Sequence, residues 1–134
     1  MSEQSELIAG DSLPATVVVS QVMAHPVKRV WHVLMAPAGA EALLGPGAFF
    51  GGKGQTWSST DGRSGVVRTL HPLEEIRFTC RTEDGSRPSM VQIDLVPDGD
   101  QTELTVTHSN YSGVENVQQR WKDALGRIEA CLAA

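Results

Sequence analysis

Between Val114 and Leu132 the apolar residues Val114, Val117, Trp121, Ala124, Leu125, Ile128 and Leu132 recur in steps of three and four. That spacing is the stripe of an amphipathic helix, with Gln118, Lys122, Arg127 and Glu129 mostly off it. The chain before it reads as a series of short strands. A long helix with one apolar face, arriving after a mostly β chain, has to lie against the sheet. If that sheet is curved, helix and strands enclose a space between them. That space is the candidate functional site.

The rest of the pattern gives the order of elements. Thr16 to Ala24 is rich in β-branched residues and reads as a strand. His25-Pro26 breaks it, and Val27, Val30, Trp31, Leu34 and Met35 follow at helical spacing. Pro37 ends that helix, Ala38 to Leu44 forms a second short one, and Gly45-Pro46-Gly47 stops the second. Strand patterns then follow at Gln55–Ser59, Gly65–Leu70, Glu75–Thr82, Ser89–Val96 and Thr102–Ser109. Asp61-Gly62, His71-Pro72, Glu83-Asp84-Gly85-Ser86 and Pro97-Asp98-Gly99-Asp100 punctuate them. Alternation puts Ile76, Phe78 and Cys80 on one face of their strand, Val91, Ile93 and Leu95 on one face of the next, and Leu104, Val106 and His108 on one face of the last. One buried face and one wet face mark an antiparallel sheet. The first strand, cut off from the others by two helices, is free to pair with a later one. The fold class expected is α+β. Residues 1–14, polar and acidic, are expected to form a flexible lead-in, and residues 15–134 a single domain.

Composition narrows the partners. The chain has 134 residues, 40% apolar and 20% charged, with a net charge of −5. A chain of this length buries roughly 68% of its unfolded surface and needs no staples. No stretch concentrates Lys or Arg, which argues against nucleic acid or an anionic membrane as partner. Cys80 and Cys131 are far apart, lack a CxxC context and read as buried free thiols. No leader pattern opens the chain, and no run approaches the ~20 apolar residues of a membrane span. A cytoplasmic location is expected.

Several of these segments have a familiar order and spacing. His25-Pro26-Val27-Lys28-Arg29-Val30-Trp31, followed by Met35-Ala36-Pro37, resembles the first helix and proline break of START-like (SRPBCC) proteins. Gly65-Val66-Val67-Arg68, His71-Pro72 and Ile76-Arg77-Phe78-Thr79 resemble a strand pair of the branch related to the C-terminal domain of the Hsp90 ATPase activator. Val96-Pro97-Asp98-Gly99, Thr102 to His108 and Trp121-Lys122-Asp123-Ala124-Leu125 fit the same branch. The resemblance spans about Thr16 to Leu132, with Leu43-Leu44 standing where the family usually has an aromatic residue. It implies a helix-grip fold, a curved antiparallel sheet around a long C-terminal helix with a cavity between them. Such proteins bind sterols, lipids, polyketides or other small apolar molecules; some cyclise polyketides, and others assist Hsp90.

The chemistry-bearing residues are few. Gly47 to Lys53 has the letters of a phosphate-binding loop, but Gly54 stands where Ser or Thr should hold magnesium, and a strand follows instead of a helix. The segment reads as a flexible glycine loop beside the cavity entrance. His25 and His32 find no third ligand, so no metal is expected. His108, on an apolar face, is either a satisfied core histidine or a ligand contact. Thr69, on the face of Val67, is either a core hydrogen-bonder or a ligand contact. Trp31 and Trp121 read as core, Trp57 as core or lining. Tyr111 is expected near the cavity mouth. No Ser–His–Asp order and no inward carboxylate pair exists, and His108 alone offers an acid–base group. The reading therefore leans away from an enzyme. It expects no cofactor and a small apolar ligand lined by Trp57, Thr69, Phe78, His108, Trp121 and Leu125. A protein-interaction module like the Hsp90-activator domain is the first alternative, and a cyclase or dehydratase using His108 the second.

Overall fold

The computed structural model describes residues 15–81, 87–111 and 117–133. The expected lead-in and Val114 lie outside those residues. The chain runs β1 (Ala15–Met23), α1 (Val27–Met35), α2 (Pro37–Leu44), β2 (Thr56–Ser58), β3 (Ser64–His71), β4 (Glu75–Cys80), β5 (Ser89–Asp98), β6 (Gln101–Tyr111) and α3 (Val117–Ala133). The strands form one sheet in the order β1-β6-β5-β4-β3-β2, with every neighbouring pair antiparallel. Strands β2 to β6 are a meander, and β1 returns to pair with the last strand. This is the helix-grip arrangement expected from the sequence.

The two early helices owe their break to proline chemistry. Ala36 precedes Pro37 and is held extended, at φ −80° and ψ 159°, because a residue before proline avoids the helical region. It closes α1 and opens α2 at once, and Pro37 sits in the first turn of α2, where a missing N–H costs nothing. Pro37 thus starts the second helix as well as ending the first. The sheet has two irregularities, one at Asn110 of β6, the extra residue opposite Ala15 and Thr16, and one at Arg68 of β3, between Val67 and Thr69. Such bulges strengthen local twist.

The core is the inner face of this sheet plus one face of each helix. Ile76, Phe78, Val91, Ile93, Leu95, Leu104 and Val106 are buried on the sheet side, and Val117, Trp121, Ala124, Leu125, Ile128 and Leu132 on α3. The alternation and the helical stripe therefore read correctly. Both cysteines are free but half-buried, since each lies at the rim of the core rather than inside it.

Polar side chains fix how α3 sits. Gln21 Nε2 donates to Glu129 Oε1 at 2.9 Å, Arg29 Nη2 to Leu132 O at 3.2 Å, and Arg127 Nη2 to Ala42 O at 3.2 Å. These bonds tie the helix to β1, α1 and α2, the elements its backbone approaches most closely. On the other side, towards β2–β4, the helix backbone makes no approach of that closeness among the described residues.

Candidate functional site

Facing that wider side is a group of aromatic rings. Phe78 projects inward from β4 and is only 1% exposed. Trp57 from β2 meets it edge-on, with centroids 5.8 Å apart and planes at 89°. Phe50, from the irregular segment after α2, meets it from another direction at 5.5 Å and 62°. Such T-shaped pairs set the positive ring edge against the negative ring face. Trp57 is fixed by its polar end, because Nε1–H donates to Thr79 O at 3.0 Å. That reach needs Gly65. A side chain there would collide with both Thr79 O and the indole nitrogen.

A second group joins β5, β6 and α3. Trp121 Nε1–H donates to His108 Nδ1 at 2.9 Å. An indole nitrogen only donates, so Nδ1 must be the unprotonated acceptor. The other nitrogen, Nε2, then carries the hydrogen and donates to Ser89 Oγ at 2.7 Å. Ser89 passes its own hydrogen to Cys80 O at 3.0 Å. Every hydrogen in this chain has one direction. His108 is 8% exposed, and burial, helped by the charge of Arg120, lowers its pKa to about 4. The ring is neutral at physiological pH and both nitrogens are engaged. It has no lone pair left to take a proton from a substrate, so the geometry favours a positioning histidine over a general base.

Of the six residues expected to line a cavity, the structure brings five into the interior. Trp57 and Phe78 belong to the aromatic group, His108 and Trp121 to the hydrogen-bonded group, and Leu125 to the buried stripe of α3. Thr69 does not join them. Strict alternation puts it on the face of Val67, but the β3 bulge leaves Arg68 without a partner and sets Thr69 opposite Arg77. Arg77 lies between the inward residues Ile76 and Phe78, so Thr69 faces outward with it. One extra residue in the strand has reversed the face.

Phe78 and Leu125, at 1% and 0% exposure, carry almost no surface open to water. Both belong to the one buried apolar cluster of the core. A shallow depression of about 340 Å³ does lie on the surface, between α2 and α3, lined by Ala38, Glu41, Ala42, Pro46, Arg127 and Cys131. None of the expected lining residues borders it. Among the described residues, no three of His, Cys, Asp and Glu gather where a metal could be held. The side chain of Tyr111 lies outside the described residues.

Two site residues escaped the sequence reading. Ser89 is polar and opens its strand after a loop, yet it shares a face with Val91 and Ile93; that parity was the available signal. Phe50 adjoins Phe49 in an irregular segment, where no period says which ring turns inward.

Comparison with known proteins bears on this geometry. The sequence model of the family described as Activator of Hsp90 ATPase homolog 1-like protein matches residues 24–133. No curated relative matches the chain. Among solved structures, protein CV1439 from Chromobacterium violaceum is similar with a TM-score of 0.75 at 19% identity, over 89% of this chain and 97% of that one. DynU16, of the dynemicin biosynthetic locus, gives 0.72 at 20%, over 89% of this chain and 47% of its own. The Aha1 dimer from Colwellia psychrerythraea gives 0.70 at 16%, over 88% and 96%. At these identities the structural likeness speaks to the fold.

Proposed function

Starting from the fact that this chain belongs to the Activator of Hsp90 ATPase homolog 1-like family, we propose that it binds a small apolar molecule between the sheet and α3, on the side of β2–β4. The observation that supports this most is the aromatic group. Phe50, Trp57 and Phe78 converge where α3 stands away from the strands, and one of the three comes from a segment outside regular structure. Ligand sites have this character, mostly apolar with few polar groups. DynU16, similar in fold, comes from a biosynthetic locus, which agrees with a small-molecule role. The cytosol is the setting of this reading. Free thiols fit a reducing compartment, and among the described residues no helix is long and apolar enough to cross a membrane. The deciding experiment is a thermal-shift survey of lipids, aromatic polyketides and flavonoids, followed by chemical-shift mapping of any hit. Shifts at Trp57, Phe78 and their neighbours support the proposal; no stabilisation across the set removes it.

A second reading, association with a protein, has its own observation. The outward face of β1 exposes Val18 at 57% and Val22 at 52%, and Ala15–Met23 contains no charged residue. Val96, 50% exposed, lies in the row of Val22 with Glu103 between them. Uncharged edge strands invite pairing, and a fold relative from Colwellia is described as a dimer. Light scattering of the wild type and of Val22→Lys tests this. A dimer that the lysine splits supports it, and a monomer that also captures no chaperone from its host ends it.

A further inference from the structure

The segment that carries Phe50 is fastened at its ends and nowhere between. At one end Gly47 N–H donates to Glu41 Oε2 at 2.8 Å, Thr60 N–H to Pro46 O at 2.8 Å, and Ala48 N–H to Gly45 O at 3.2 Å. At the other, Gly52 N–H donates to Gln55 Oε1 at 2.9 Å, and Gly54 N–H to Val67 O at 2.7 Å. Between them, Phe49, Phe50 and Gly51 make no backbone hydrogen bond among the described residues. Phe49 is 66% exposed and Phe50 8%. Only ring packing holds this stretch inward.

We propose that Phe50 is a removable plug: it occupies the place of a flat aromatic ring over Phe78, and residues 49–51, turning between the anchored ends at Gly47 and Gly54, lift it out when such a ring enters. The proposal rests on the ligand-binding reading and adds to it how the site opens and what it accepts. Glycines flank the two phenylalanines on both sides, and Gly47 and Gly54 have φ of 79° and 86°. Glycine can move through backbone conformations that side chains forbid. Gly52 and Gly54 also have open space where a side chain would be, while the Gln55 side chain lies close against Gly51 and has to turn aside with it. Lifting Phe50 breaks no backbone hydrogen bond, and an incoming ring restores the contact it gave up. Its neighbour Trp57 cannot yield in the same way, because its indole is bonded to Thr79 and seated on Gly65. The slot therefore has a fixed floor, Phe78, a fixed wall, Trp57, and one movable side.

The same bonds define the guest. The Trp57 N–H is already taken, and the two phenyl rings offer none. The side chains of the floor and wall present no free hydrogen-bond donor, so they favour an aromatic ring unsubstituted at its buried end, with polar groups left towards the loop that carries the unbonded backbone N–H groups of residues 49–51.

The protein contains three phenylalanines, at 49, 50 and 78, so uniform labelling with 4-fluorophenylalanine gives three fluorine resonances. Phe49→Leu and Phe50→Leu assign them. Anilinonaphthalene sulfonate serves as the probe. As it saturates the protein, the Phe50 resonance is expected to move towards the position of exposed Phe49, while Phe78 stays buried and senses the new ring. Phe50→Ala, with the competing ring gone, is expected to bind the probe about tenfold more tightly than the wild type. Phe50→Leu keeps the test open should the alanine variant fail to fold, and is expected to change affinity in the same direction. If the probe binds the wild type while the Phe50 resonance stays in place, or if folded variants bind no more tightly, the plug is overturned and the binding reading survives. If neither the wild type nor a folded Phe50 variant takes up the probe, both fall together.

Discussion

At the scale of single residues the informative case is His108. A histidine on an apolar face has two readings, and partner identity separates them. Trp121 can only donate, so it fixes the tautomer; Ser89 then has to accept. Because burial lowers the pKa from 6.5 to about 4, with Arg120 adding to the effect, the unfolded chain binds the proton more readily than the folded one. Stability must then rise with pH across that window. It is complete above about pH 6.5 and lost as pH falls towards 4, by at most about 3 kcal/mol. Urea unfolding at pH 7 and pH 4.5 is expected to show this loss, and His108→Gln to flatten the slope. An unchanged slope in the variant would assign the acid sensitivity elsewhere. Gly65 gives a second case. Its missing side chain lets Trp57 reach Thr79 O, so Gly65→Ala is expected to destabilise the domain by about 2–3 kcal/mol. The near-ultraviolet signal of Trp57 should change with it.

At the scale of elements, sequence patterns located almost every strand and helix, and failed where a local count changed. The β3 bulge is such a place. Alternation is a parity rule, and one unpaired residue, Arg68, inverts every face after it until the strand ends. Nothing in Val67-Arg68-Thr69 announces the insertion, because it answers the curvature of the whole sheet. The join between β1 and α1 is another such place. Thr102 is completely buried on β6 and donates to His25 O at 2.9 Å across the turn. Thr102→Val keeps the shape and removes the donor, leaving a carbonyl without its partner. The expected loss is about 1–2 kcal/mol in a denaturation midpoint at unchanged slope. A neutral outcome would mean that water replaces the threonine.

At the scale of the molecule, the three helices and six strands of the described residues share one core, and function turns on how completely that core is closed. A ligand that binds only the folded state at a hundred times its dissociation constant stabilises by about 2.7 kcal/mol. For a domain of this size that corresponds to a rise in Tm on the order of 10 °C. A true hit should reach that scale, and weak surface adsorption should not. If α3 and the sheet separate to admit the guest, lines along the whole helix will shift. If Phe50 alone moves, shifts will concentrate between Gly47 and Phe78.

The sequence by itself determined the succession of elements, the buried stripe of the last helix and the inward faces of β4, β5 and β6. Each of these depends on a period of two or of 3.6 that neighbouring residues carry among themselves. Tertiary structure alone decided the outward turn of Thr69, the hydrogen-bond direction through Ser89, His108 and Trp121, and the inward turn of Phe50 beside an exposed Phe49. Those outcomes depend on contacts between residues far apart in the chain, where geometry in space sets the partner and no local period records it.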